Sequence, residues 1–176
     1  MEPENILKPE NDIAPKLRTT IDWVLWSQWL LATTIGWIIG LVLGREVGIG
    51  LIIGFFQWLV LRRYISKAGW WVGVTALGWA IGWAIITSGA IVPSGSNFIT
   101  SVFSGALLGL TMGVGQWFLL RRWVNFASMW LLLAVSGWAI ALAGLLGSTL
   151  VGAIAGAITG FAFDFLLRYP RDNMST

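Results

Sequence analysis

Cysteine and histidine are both absent from the 176-residue chain. Without cysteine there is no disulfide, no thiolate nucleophile and no cysteine-based metal site. Without histidine the usual general base, the proton shuttle and the commonest metal ligand are missing. Charge is scarce as well. Asp, Glu, Lys and Arg make up 11% of the residues, against about 25% in an ordinary soluble domain, which argues against a water-soluble fold. No Ser-His-Asp set can be assembled, and no Gly-Lys-Ser/Thr phosphate loop follows any glycine. No catalytic or metal-ligating residue is therefore assigned, and the chain reads as non-enzymatic.

What fills the chain instead is apolar sequence, 57% of the residues, with 13 tryptophans and 22 glycines. Six predominantly apolar runs stand out, at about 21–42, 47–61, 70–86, 98–120, 129–146 and 149–167. Runs of this kind near 20 residues mark membrane-spanning helices. The five prolines (Pro3, Pro9, Pro15, Pro93 and Pro170) lie outside all six, as unbroken helices require, because lipid cannot replace a lost backbone hydrogen bond. A transmembrane β-barrel would need short segments of alternating polarity, whereas these runs are continuous and rich in Gly and Ala. The expected fold is an all-α polytopic membrane bundle.

Lys8, Lys16, Arg18, Arg62, Arg63, Lys67, Arg121, Arg122, Arg168 and Arg171 all fall on one side of such a bundle, and only Arg45 on the other. The positive-inside rule then puts both termini in the cytoplasm, or the stroma of a thylakoid. The expected location is a bacterial plasma membrane or a thylakoid. The net charge of +3 is a topology signal; no basic cluster on a soluble face suggests nucleic acid. Residues 1–20 lack the basic start and short apolar core of a cleavable signal peptide. They read as a solvated cytoplasmic tail, with partner binding as the alternative, and 170–176 form a second tail.

The runs repeat. GLIIGFFQWLVLRR (Gly50 to Arg63) and GLTMGVGQWFLLRR (Gly109 to Arg122) are near-copies, and GAITGFAFDFLLRY (Gly156 to Tyr169) keeps the frame with Phe163 and Asp164 in place of Gln-Trp. The other three runs each carry Trp, six residues, then Gly-Trp: Trp29 to Trp37, Trp71 to Trp79 and Trp130 to Trp138. This predicts three tandem helical hairpins at 21–66, 67–125 and 126–169. Hairpins keep one orientation, so they are parallel repeats about an axis along the membrane normal. The segment 87–97 is an extra outer loop, a candidate for contacting a partner or occluding a path.

Small residues four apart share a helix face and let helices approach closely in lipid. Gly36/Gly40, Gly50/Gly54, Gly78/Gly82, Gly109/Gly113, Gly137/Ala141 and Gly156/Gly160 are assigned to helix packing, with pore lining as the alternative. Trp29, Trp71 and Trp130 are expected in an aromatic belt at the cytoplasmic interface. Trp37, Trp79, Trp83 and Trp138 lie deeper, where each indole N–H needs a partner. Trp37, Trp79 and Trp138 are thus candidates for bundle hydrogen bonding or for a wall against a flat ligand. Gln57, Gln116 and Asp164 are the deep polar candidates. The glutamines read as interhelical hydrogen-bond formers, and Asp164 as an i,i+4 ion pair with Arg168. The alternative joins all three in a polar triad touching a solute or ion. Arg62, Arg63, Arg121, Arg122 and Arg168 read as topogenic or as contacts to anionic lipid.

On the Gln-Trp-x-x-Leu-Arg-Arg and Trp-x6-Gly-Trp copies the chain resembles a group of multi-pass membrane proteins of cyanobacteria and related photosynthetic bacteria that carry no assigned activity. That resemblance implies a source and a fold rather than a function. Two functions remain in play. One is a scaffold or accessory subunit of a larger membrane complex, photosynthetic in one version; a bound lipid or pigment would be a variant, with Gln57, Gln116, Asp164 or water as chlorophyll ligand. The other is a small-solute transporter or channel, or a substrate-binding membrane subunit, similar in span number and size to the binding components of energy-coupling-factor vitamin importers, which lack this threefold repeat.

Overall fold

The computed structural model describes residues 20–65, 67–92, 97–144 and 147–171. Nearly all of the two expected tails, and the centre of the 87–97 loop, lie outside these residues. Among the described residues the fold is all-helical: α1 (Trp23–Leu43), α2 (Arg45–Leu61), α3 (Trp70–Ser88), α4 (Phe98–Leu120), α5 (Ser128–Leu142) and α6 (Val151–Leu167), with a 3-10 turn at Ser148–Leu150 leading into α6.

The boundaries follow from local chemistry. Asp22 accepts the backbone N–H of Leu25 and starts α1; a side-chain oxygen there satisfies a donor that the first turn leaves free. Asn97 and Thr100 form a reciprocal capping box at the start of α4. Helix α3 stops at Gly89, whose φ of 68° few other residues adopt without cost. Helix α5 ends at Leu142, earlier than the apolar run suggests, because Gly144 and Gly147 turn the backbone to positive φ.

Four helical segments are long and apolar enough to cross a membrane: Trp23–Leu43, Trp70–Ser88, Phe98–Leu120 and Ser148–Leu167. Two apolar helices are shorter, Gly48–Leu61 and Ser128–Leu142. At 1.5 Å per residue the 15 residues of α5 reach about 22 Å, less than a hydrocarbon core of about 30 Å.

Each helix packs on its neighbours in chain order, and α6 closes back on α1, so the six form a ring. Glycine makes the close approaches. A Cβ at Gly50 would lie 2.2 Å from Trp79 Cβ, and one at Gly105 2.2 Å from the Trp138 carbonyl oxygen. Gly36, Gly40, Gly78, Gly82 and Gly137 face the following helix within a hairpin, whereas Gly50, Gly54, Gly109, Gly113, Gly156 and Gly160 face the helix across the next seam, α6 meeting α1.

The interior has two layers. One surrounds Trp29, Trp71, Trp130 and Phe163; the other surrounds Trp37, Trp79, Trp138 and Met112. The first lies at the end where α2, α4 and α6 finish. There the α4–α5 turn is strapped by the chain after α6: Asn125 N–H donates to Tyr169 C=O at 2.8 Å and Arg171 N–H to Trp123 C=O at 3.0 Å. The α2–α3 and α4–α5 turns share an unusual feature at matching positions, a left-handed backbone at Lys67 (φ 60°) and Phe126 (φ 57°).

Candidate functional site

The axis of the ring is occupied by six indoles. Trp29, Trp71 and Trp130 meet edge to face, with ring centres 5.8, 5.9 and 5.5 Å apart. One layer away, Trp37, Trp79 and Trp138 meet at 6.0, 5.9 and 5.6 Å. Helices α1, α3 and α5 each give one ring to each triad, eight residues or about 12 Å apart along the helix. Edge-to-face contacts set the positive ring edge against the negative ring face and add about 0.5–1.5 kcal/mol per pair beyond burial.

This placement corrects one expectation. Trp29, Trp71 and Trp130 are at most 1% exposed; they form the centre of the bundle and not an interfacial belt. Hydropathy cannot distinguish the two, since lipid and protein interior are equally apolar. Trp37, Trp79 and Trp138 are buried against one another, so their faces do not form a wall toward an open slot. Trp37 donates its indole N–H to the Ser148 carbonyl at 2.8 Å.

The polar side chains serve the inner triad. Trp71 N–H donates to Gln57 Oε1 at 2.9 Å, and Gln57 Nε2 donates to Thr33 Oγ1 at 3.1 Å. Trp130 N–H donates to Gln116 Oε1 at 3.0 Å, and Gln116 Nε2 donates to Thr75 Oγ1 at 2.9 Å. An indole nitrogen can only donate, which fixes each amide oxygen toward tryptophan and each amide nitrogen toward threonine. Each chain of bonds ties three successive helices together. Both glutamines are buried, so each bond also removes a desolvation cost.

The third copy solves the same problem differently. Phe163 takes the glutamine position and stacks on Trp29, ring centres 4.7 Å apart. The Trp29 N–H goes instead to Thr159 Oγ1 at 3.0 Å, one turn earlier on α6. Phenylalanine has no amide to donate, and the position matching Thr33 and Thr75 is correspondingly Ala134, buried and apolar. Sequence reasoning missed Thr33, Thr75 and Thr159. The available signal was a threonine four residues after the first tryptophan in two copies and four before the glutamine position in the third.

Asp164 does not join the glutamines in a polar triad. It pairs with Arg168 one turn on, and its other oxygen accepts the Asp22 backbone N–H at 3.0 Å. The repeat explains why. Arg62 lies over the Trp58 ring at 5.3 Å and Arg121 over the Trp117 ring at 5.2 Å. Asp164 stands where those tryptophans stand, so a carboxylate replaces an aromatic face as partner for the same cation. Arg168 is thereby paired inside the protein through one of its guanidinium nitrogens. Arg63 and Arg122 each line a cavity: one of about 260 Å³ between α1 and α2, the other of about 270 Å³ between the α2–α3 turn and the end of α4.

Among the described residues no three His, Cys, Asp or Glu side chains gather where a metal ion could sit. No protein-family model, curated protein or solved structure matches the chain.

Proposed function

We propose that this chain is a non-enzymatic integral membrane protein of six spans, built as three parallel hairpin repeats with both termini cytoplasmic. It acts as a scaffold or accessory subunit of a larger membrane complex in a bacterial plasma membrane or thylakoid. The observation that carries this reading is the filled axis. Six buried indoles occupy the place where a central path would run, and both buried amides, with Thr33, Thr75 and Thr159, are spent on holding the indoles of one triad. Such a body is suited to presenting a rigid outer surface. The two short helices, α2 and α5, are accommodated in a bilayer by local thinning or by tilted neighbours.

Large apolar side chains stand exposed around the ring, among them Val24, Leu77, Phe103 and Leu132, each at least 60% exposed. A lipid-facing surface needs this, and in water it would be a liability. The reading as a transporter or channel receives no comparable support, because a solute would have to displace the tryptophan triads. A pigment held by Gln57 or Gln116 would compete with the indole that each amide oxygen already accepts.

The test is isolation from the native membrane in mild detergent. The protein is expected to migrate with a larger assembly and to stay in the membrane pellet after alkaline washing. Migration solely as a free small particle under conditions that preserve neighbouring complexes would overturn the scaffold role.

A further inference from the structure

Two hollows flank Trp70 at the basic end of the bundle. The first, about 270 Å³, lies between the α2–α3 turn and the end of α4; it is walled by Leu61, Trp71, Leu120 and Trp123 and carries Lys67 and Arg122. The second, about 420 Å³ and nearly open, continues along α3 and is lined by Lys67, Gly69, Trp70 and Gly73. A Cβ at Gly69 or at Gly73 would meet no atom within 4 Å, so these two glycines, unlike Gly50 or Gly105, do not serve helix packing. Lys67 belongs to both hollows, and Trp70, 72% exposed, is the ridge between them. Neither Lys67 nor Arg122 meets a carboxylate among the described residues.

The first arginine of each Arg-Arg pair is spoken for: Arg62 and Arg121 sit on aromatic rings. The second is left to the cavity. At Arg122 alone a second cation, Lys67, shares the lining. In the third copy the matching residue is Tyr169, packed on Phe126 and Phe165, and no cation remains. The asymmetry singles out one place where two free cations stand at the mouth of apolar space.

We propose that this place binds one anionic phospholipid, its phosphate held between Lys67 and Arg122 and its two acyl chains lying in the hollows on either side of Trp70. The proposal rests on the membrane reading above, since these residues must lie at headgroup depth. Two fixed cations beside apolar walls match a ligand that is charged at one end and has two chains at the other. A zwitterionic lipid offers the chains but cancels the charge. A free phosphate offers the charge without the chains.

Native mass spectrometry of the full chain in detergent, loaded with an equal mixture of phosphatidylglycerol and phosphatidylcholine, tests it. The wild type is expected to retain one phosphatidylglycerol. Lys67→Gln with Arg122→Gln should lower that retention roughly thirtyfold, as loss of two headgroup contacts implies. Gly73→Leu, which fills the second hollow and leaves the charge alone, should lower it as well. Arg62→Gln with Arg121→Gln should not. Glycerol phosphate in excess should fail to displace the lipid. Equal retention of both lipids, undiminished retention in the Lys67/Arg122 variant, or displacement by glycerol phosphate would each overturn the proposal. Alkaline washing separates the two failures: a chain that stays in the pellet yet retains no lipid refutes this site alone, and a chain that washes out refutes the membrane reading too.

Discussion

Trp130 donates its indole N–H to the side-chain oxygen of Gln116 at 3.0 Å, across the seam between α4 and α5. The same bond joins Trp71 to Gln57 at 2.9 Å across the seam between α2 and α3. Each glutamine is a two-ended clamp: its oxygen holds an axial tryptophan of the next helix and its nitrogen holds a threonine of the previous one. A rigid centre follows from a polar residue whose amide oxygen and amide nitrogen are each bonded to a neighbouring helix.

Replacing the clamp by an apolar residue of similar size should therefore cost more than the bond itself. Gln116→Leu leaves both the Trp130 N–H and the Thr75 hydroxyl short of a partner in a buried place. The expected loss is about 1–3 kcal/mol, read as a lower midpoint of thermal unfolding in detergent. Gln57→Leu should lose a similar amount, since Trp71 and Thr33 stand in the same relation to it. A Gln116→Leu variant as stable as wild type would show that the clamp does not hold the axis.

The close approaches at glycine give a sharper contrast. At Gly105 a Cβ would lie 2.2 Å from the carbonyl oxygen of Trp138, and backbone cannot swing away. Gly105→Ala should push α4 from α5 and lower stability by more than 2 kcal/mol, within the roughly 1–3 kcal/mol or more seen for overpacked sites. At Gly48 the added methyl meets nothing within 4 Å. Gly48→Ala should be neutral or should stabilise by up to about 1 kcal/mol through helix propensity. Thermal midpoints of the two variants in one detergent decide the matter; equal effects would refute close helix contact at Gly105.

Asp164 and Arg168 form a pair that is buried on the acid's side and 18% exposed on the arginine's. Arg168→Leu strands a buried carboxylate and should cost about 2–3 kcal/mol, somewhat less than the fully enclosed case. Asp164→Trp restores the aromatic partner found at Trp58 and Trp117 and should lose less than Asp164→Ala. The measurement is again thermal unfolding, with both aspartate variants compared. If the Trp variant is no better than the Ala variant, the carboxylate is not standing in for an aromatic face.

Much of this arrangement was legible in the sequence. Helix α4 occupies Phe98–Leu120, the range of its apolar run, because a capping box begins it and the Arg-Arg turn ends it. The ion pair of Asp164 was available from its spacing alone. What could not be read was which way the tryptophans face. A run apolar all round has no preferred side, so periodicity gives no direction. The partners of the indoles, Thr33, Thr75 and Thr159, were hidden for a related reason: a threonine in an apolar helix can bond its own backbone, as Thr33 does to the Trp29 carbonyl at 3.0 Å, and gives no sign that it also receives a bond from across the seam. The early end of α5 was masked because Gly144 and Gly147 lie within an otherwise apolar stretch.

The third copy supplies the strictest test of the whole arrangement. It keeps an axial tryptophan and satisfies it with a different trio: Phe163 stacks on Trp29, Thr159 accepts its N–H, and Ala134 fills the place of a threonine that no amide would need. If these residues form one interdependent unit, the trio should transplant. Gln116→Phe alone strands the Trp130 N–H and the Thr75 hydroxyl and should destabilise by about 2–3 kcal/mol. Adding Met112→Thr supplies the acceptor one turn earlier on α4, as Thr159 does on α6. Adding Thr75→Ala removes the orphaned hydroxyl. The triple variant should then recover more than half of the loss, although Thr75→Ala or Met112→Thr introduced singly should each be destabilising. That sign reversal, measured by thermal unfolding across the full set of single, double and triple variants, is the expected signature of coupled neighbours. Additive losses across the set would mean that the three copies reach their tryptophans by unrelated means, and that the common frame of their sequences does not extend to a common packing solution.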